Sequence, residues 1–139
     1  MFRENEKKLG DYISKIGSDV IIMRKKAIET LEPVMGNIEV LPLDCDFGDY
    51  WAINVLDVLD CIDYEKSKFK QFPKTPTNPN PRIMLFEKFA FVKEAIQGHH
   101  VFKIKDQPKS HMFVDDLFVE MVERNAITGM KFIPVWEEN

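Results

Sequence analysis

His111-Met112-Phe113-Val114-Asp115-Asp116-Leu117-Phe118-Val119-Glu120-Met121-Val122 changes its period partway along. His111 to Val114 reads as a strand. Asp115 or Asp116 then offers a side-chain acceptor to the first turn of a helix, with Leu117, Phe118, Met121 and Val122 on its buried face. Upstream, Arg82–Phe86 and Lys88–Phe91 read as strands, Lys93–Ile96 as a helical turn ended by Gly98, and His100–Lys105 as another strand. Downstream, Gly129 stops the chain and Met130–Val135 forms a last strand. Strands follow one another with few helices between them. That order predicts an α+β fold: a mixed, mostly antiparallel sheet with two or three short helices in a single domain.

The N-terminal half is read the same way. Residues 1–18 are a polar segment in which Tyr12, Ile13 and Ile16 make a short amphipathic turn, and the domain proper is expected over 19–139. Val20–Met23 is a small strand leading into a helix that carries Ala27, Ile28 and Leu31 on one face. Pro33 is expected to end that helix, with Gly36 and Asn37 turning the chain. Ile38–Leu43 and Tyr50–Asn54 are strands. Beyond them Val55, Val58, Leu59 and Ile62 suit a strand or a helix face; we read strand to Leu56, then an irregular or short helical turn to Asp63. Four prolines between Gln71 and Pro81 predict an extended surface loop.

Composition narrows the class. The 139 residues are 45% apolar and include eleven phenylalanines, as a packed domain requires. No apolar run approaches the roughly 20 residues that cross a bilayer. Met1 to Lys8 lacks an apolar signal core, and Cys45 and Cys61 are the only cysteines. Both features point to a reducing cytoplasm and no membrane partner. The pI near 5.4 argues against nucleic acid, because phosphates need clustered cations and the longest basic run is Arg24-Lys25-Lys26.

Charge is segregated. Between Ala27 and Glu65 there is no Lys, Arg or His, yet ten carboxylates occur: Glu29, Glu32, Glu39, Asp44, Asp46, Asp49, Asp57, Asp60, Asp63 and Glu65. The other thirteen acids share the rest of the chain with all nineteen basic residues, so a segment at −10 sits in a background of +6. Such a segment repels itself and favours a cationic partner.

Catalytic patterns are scarce. Asp57, Asp60 and Asp63 recur every third residue, but the segment lacks the glycine turn and spaced glutamate of a calcium loop. His99 and His100 point to opposite faces if they lie on a strand, and His111 is joined to them by no fixed spacing. No serine stands in a nucleophile elbow, and the scattered glycines form no phosphate loop. Cys45, between Asp44 and Asp46, is in a field that raises a thiol pKa. No cofactor is implied. Two further classes stay open at this point: a small metal-dependent hydrolase using the aspartates with His99, His100 or His111, and an acidic scaffold for some other basic protein.

The order of segments carries one more signal. Leu41-Pro42-Leu43 is followed by Tyr50-Trp51-Ala52-Ile53-Asn54-Val55 and by Asp60-Cys61-Ile62-Asp63-Tyr64-Glu65-Lys66-Ser67. Later come His100-Val101-Phe102-Lys103-Ile104 and Ile127-Thr128-Gly129-Met130-Lys131-Phe132-Ile133-Pro134-Val135. Over roughly residues 19 to 135 this succession resembles the eleventh-numbered immunity-protein family of bacterial polymorphic toxin systems. The N-terminal region is shorter than in many members, and the proline-rich loop at 71–81 is a departure from the family pattern. The resemblance implies a non-enzymatic antidote, cytoplasmic, that binds a cognate toxin protein. The motif positions are Asn54, Asp60, Asp63, Ser67, Gly129 and Phe132. Combined with the charge pattern, the expected partner-binding residues are Asp44, Asp46, Asp49, Asp57, Asp60, Asp63 and Glu65, laid against a basic site.

Overall fold

A computed structural model describes residues 12–16, 20–43, 50–128 and 130–137. In chain order the elements are β1 (Tyr12–Ile16), β2 (Ile21–Arg24), α1 (Lys25–Met35), β3 (Ile38–Pro42), β4 (Tyr50–Val55), β5 (Val58–Leu59) and β6 (Lys68–Gln71). They continue with β7 (Ile83–Lys88), α2 (Lys93–Ile96), β8 (Val101–Ile104), β9 (Met112–Asp115), α3 (Asp116–Arg124) and β10 (Phe132–Glu137). The expected α+β fold is what forms. Its centre is a five-stranded sheet in the order β10-β1-β9-β8-β5, antiparallel except where β5 runs parallel to β8. A three-stranded sheet, β2-β4-β3, and the β6–β7 hairpin lie beside it.

The central strands are buried on both sides, so alternate residues serve different cores. Ile16, Val101, Met112 and Val114 meet α1, α3 and one side of the β2-β4-β3 sheet through Leu31, Met35, Ile53, Val55 and Phe118. Ile13, Phe102, Ile104 and Phe113 point the other way, onto Phe86, Phe89, Phe91 and Ile96. Each such large side chain contributes about 1.5–3 kcal/mol on leaving water.

The helices are held mainly by these faces. α1 has no side-chain cap and no acid in its first turn, and it buries Ile28, Leu31, Val34 and Met35. α3 starts where its sequence says it should: the Phe118 N–H donates to Asp115 Oδ1 at 3.1 Å. It ends in a Schellman turn, with Ala126 N–H on the Glu123 carbonyl and Ile127 N–H on the Val122 carbonyl. Ala126 takes the left-handed position, at φ 54°, that glycine usually fills.

Five readings need correction. Tyr12–Ile16 is a strand between β9 and β10, not a turn; burial of Ile13 and Ile16 on opposite faces draws it into the sheet. Pro33 does not end α1, which runs to Met35. Proline so late in a helix forfeits a single carbonyl partner, and burying Val34 and Met35 outweighs that loss. Of the two alternatives for residues 57–63 the helical turn does not form, and the irregular stretch contains a short strand. The Lys103 and Lys105 N–H groups on the edge of β8 bond the Asp57 and Leu59 carbonyls, which holds Val58–Leu59 as β5. Finally, β6 went unread because Phe69, on Phe86, is its one apolar contact in a polar stretch, and Ile83–Lys88 is one strand where two were expected. The loop at 71–81 is exposed up to Pro81, with its ends tied by Phe72 N–H on the Arg82 carbonyl and Gln71 Nε2 on the Pro81 carbonyl.

Candidate partner-binding surface

The acidic segment runs from α1 through β3, β4 and β5 to the turn at residues 64–66. Asp44, Asp46 and Asp49 fall in the connection between β3 and β4 and lie outside the described residues, as does Gly129. The ends of that connection are paired, with Leu43 N–H donating to the Tyr50 carbonyl at 3.0 Å.

The remaining site residues differ in what they touch. Asp57 is largely buried and holds the α1–β3 turn: Oδ1 accepts from Asn37 Nδ2 at 2.9 Å and Oδ2 from the Asn37 N–H at 3.3 Å. Gly36, at φ 66°, is required here, since a Cβ would come within 2.5 Å of Asp57 Oδ2. His99 Nδ1 lies 3.9 Å from the same oxygen. Asp63 organises its own turn, Oδ1 accepting from the Glu65 and Lys66 N–H groups at 3.1 and 3.2 Å. Asp60 is exposed, 3.6 Å from the equally exposed Lys105. Glu65 is exposed. Asp57 and Asp63 therefore have architectural work that charge spacing alone did not reveal; Asp60 and Glu65 face solvent.

Two motif positions are explained by hydrogen bonds. Ser67 Oγ accepts from the Ala90 N–H at 3.0 Å and donates to the Ala90 carbonyl, stitching the turn after Asp63 to the strand end at Phe89–Ala90. Asn54 Oδ1 accepts from Nζ of the buried Lys103 at 2.7 Å, and Asn54 Nδ2 donates to Glu39. A buried ammonium requires such a partner. Phe132 packs at the edge of the α1–α3 core, edge-on to Phe118.

The candidate catalytic groups do not converge. His99 meets Asp57, whereas His100 Nδ1 sits 2.6 Å from Asp115 Oδ2, the residue that caps α3. Both histidines precede β8, and each meets a different carboxylate. Burial holds His111 below its ordinary pKa, with the nearby Lys15 charge adding to the effect and a backbone bond from Ile16 opposing it. Burial likewise raises the Cys61 thiol to about 12, helped by the charges of Asp106 and Asp60, so it is a core thiol and no nucleophile. Tyr64 donates to Asp106 Oδ2 at 2.6 Å, and that bond raises its phenol pKa further still. Among the described residues no three His, Cys, Asp or Glu gather to hold a metal ion. None of the described helices is long and apolar enough to cross a membrane.

One feature escaped sequence reading. In the β2-β4-β3 sheet the register places Ile22, Ala52 and Leu41 in one cross-strand row, on the opposite side from the buried Met23 and Ile53. Ile22 is 56% and Leu41 49% exposed. Apolar residues on both parities of Ile21-Ile22-Met23 and Val40-Leu41-Pro42-Leu43 were the available signal, because such a strand is either covered twice or left with an apolar face.

The described residues thus define an α+β domain in which the carboxylates of the acidic segment hold turns or face solvent, with an apolar sheet face beside them. The chain belongs to the immunity protein family Imm11, whose family model matches residues 25–137. No curated protein matches it.

Proposed function

We propose that the protein is a non-enzymatic antidote that binds and neutralises a cognate bacterial toxin domain in the cytoplasm, its acidic segment occluding a basic site. Family membership supports the toxin as partner. The observation that carries the mode of binding is the uncompensated charge. Of the described carboxylates in the window, Glu29, Glu32, Glu39, Asp57, Asp60, Asp63 and Glu65, only Asp60 has a lysine or arginine partner, and that pair is exposed. A basic cleft gains association rate from such a surface and loses substrate access to it.

Growth rescue on co-expression with the toxin encoded beside the gene tests the class of function. Reversal of Asp44, Asp46 and Asp49, or of Asp60 and Glu65, is expected to slow association about tenfold or more at low salt. These sets avoid Asp57 and Asp63, whose loss would disturb turns. Unchanged association in both sets would remove the acidic segment from the interface.

A further inference from the structure

We propose that the partner presents an extended, positively charged segment that adds to β3 as a fourth strand and packs its apolar side chains beside Leu41 and Leu43. This deepens the antidote reading and rests on it. Among the described residues β3 is an edge strand, paired with β4 alone. The bonds from Leu43 N–H to the Tyr50 carbonyl and from Leu56 N–H to the Asn37 carbonyl fix the phase of that ladder. Glu39, Leu41 and Leu43 therefore turn their backbone groups to β4, while Ile38 and Val40 point N–H and carbonyl outward. Pro42 contributes only a carbonyl to that edge. The open edge thus has two donors and three acceptors, the template of strand addition.

The face beside the edge is apolar where a solvated strand is usually polar. Ile22, Leu41 and Leu43 are exposed on it, and Leu56, 51% exposed, extends it past the end of β4. On an incoming strand, alternate apolar side chains would pack beside Leu41 and Leu43.

Charge selects the occupant. On the β3 side the face carries the exposed Glu39, which accepts from the Asn54 amide at 3.4 Å. Asp57 sits at the start of β3 through Asn37, and the connection leaving its end contains Asp44, Asp46 and Asp49. Among the described residues of these three strands the cation on the face is Arg24, at the far corner over the Tyr50 ring, 5.0 Å away. Antiparallel pairing of two copies through β3 would set these acidic ends against each other, which costs free energy. A basic strand is attracted instead.

The test uses the full chain with the toxin it rescues. Val40→Pro removes an outward N–H, at an edge position where proline is tolerated; Leu41→Lys with Leu43→Lys charges the face beside it. Each is expected to raise the dissociation rate about tenfold or more, with a melting temperature within a few degrees of the wild type. Wild-type rescue combined with unchanged affinity in both variants would overturn this surface and leave the antidote reading standing. Failure of the wild-type chain to bind or rescue would overturn the antidote reading itself. Sedimentation that shows a wild-type dimer dissolved by Val40→Pro would assign the edge to a second copy and overturn the proposal.

Discussion

The two sides of this molecule use the same kind of strand for opposite ends. On one side, Phe102 and Phe113 of the central sheet lie in a mesh of rings with Phe86, Phe89, Phe91 and Trp136, their centroids 4.7–6.2 Å apart. The β6–β7 hairpin and α2 close over them, and Phe102 and Phe113 are at most 1% exposed. On the other side, the β2-β4-β3 sheet has one face in the core and one in solvent. Acidic residues cluster in sequence around the second sheet, whereas on the first the buried Asp115, at the end of β9, caps α3 and meets His100. Apolar side chains facing inward hold a fold. Left outward beside unpaired carboxylates, they suit a partner.

The largest effect expected from this contrast is in stability. Phe113→Ala should cost about 3–5 kcal/mol, because the cavity lies between four rings that cannot all collapse into it. Leu41→Ala, on the exposed face, should stay within about 0.5 kcal/mol. Chemical denaturation of the two variants measures both. A comparable loss in Leu41→Ala would mean that the face is covered in the free protein, and the contrast would collapse.

Asn54→Leu probes the seam between the regions. It leaves the Lys103 ammonium, on the central sheet, without the acceptor that β4 supplies. A loss of about 1–3 kcal/mol is expected. Asn54→Asp, which restores an acceptor, should recover most of it. If Asn54→Leu is neutral in denaturation, the buried lysine finds another partner and the seam is looser than the 2.7 Å contact implies.

These residues also show what sequence could and could not convey. The Asp115 cap, the helix of Phe118 and Val122, and the strands at 50–55, 101–104 and 112–115 follow from local period and capping, which act over a few residues. β1 and β5 do not. Each becomes a strand because a distant edge offers backbone partners, β9 and β10 for one and β8 for the other. Site residues divide likewise. Charge spacing placed Asp57, Asp60 and Asp63 in one set, but whether a carboxylate faces solvent or an N–H is decided by the fold. Asp57 belongs to Asn37, twenty positions away. The exposed sheet face was legible in principle, as apolar residues on both parities, yet that pattern equally describes the doubly buried β8 and β9.

The aromatic side also carries a group that should make stability respond to acid. His111 lies edge-on to Phe113, and its folded pKa is depressed below the ordinary 6.5. The unfolded chain therefore binds the proton more readily. His111 destabilises the fold progressively as pH falls below about 6.5, and the effect saturates once pH is below the folded pKa. Melting temperatures between pH 7.5 and 5 should fall less in His111→Phe than in the wild type. Parallel curves would assign the acid sensitivity to other groups.

The smallest effect is the most telling for the acidic surface. Asp60 and Lys105 are 3.6 Å apart with more than 60% of each side chain in solvent, so their coupling should be about 0–1 kcal/mol. A double-mutant cycle, Asp60→Ala against Lys105→Ala, measures it by denaturation. In the same variants the association rate with the toxin should move in opposite directions: slower without Asp60, faster without Lys105, with both differences shrinking as salt rises. A coupling well above 1 kcal/mol would mean that Asp60 is already committed within the protein. The solvated carboxylate would then be no different in kind from Asp57, and the charge left for a partner would rest on Glu29, Glu32, Glu39, Glu65 and the β3–β4 connection.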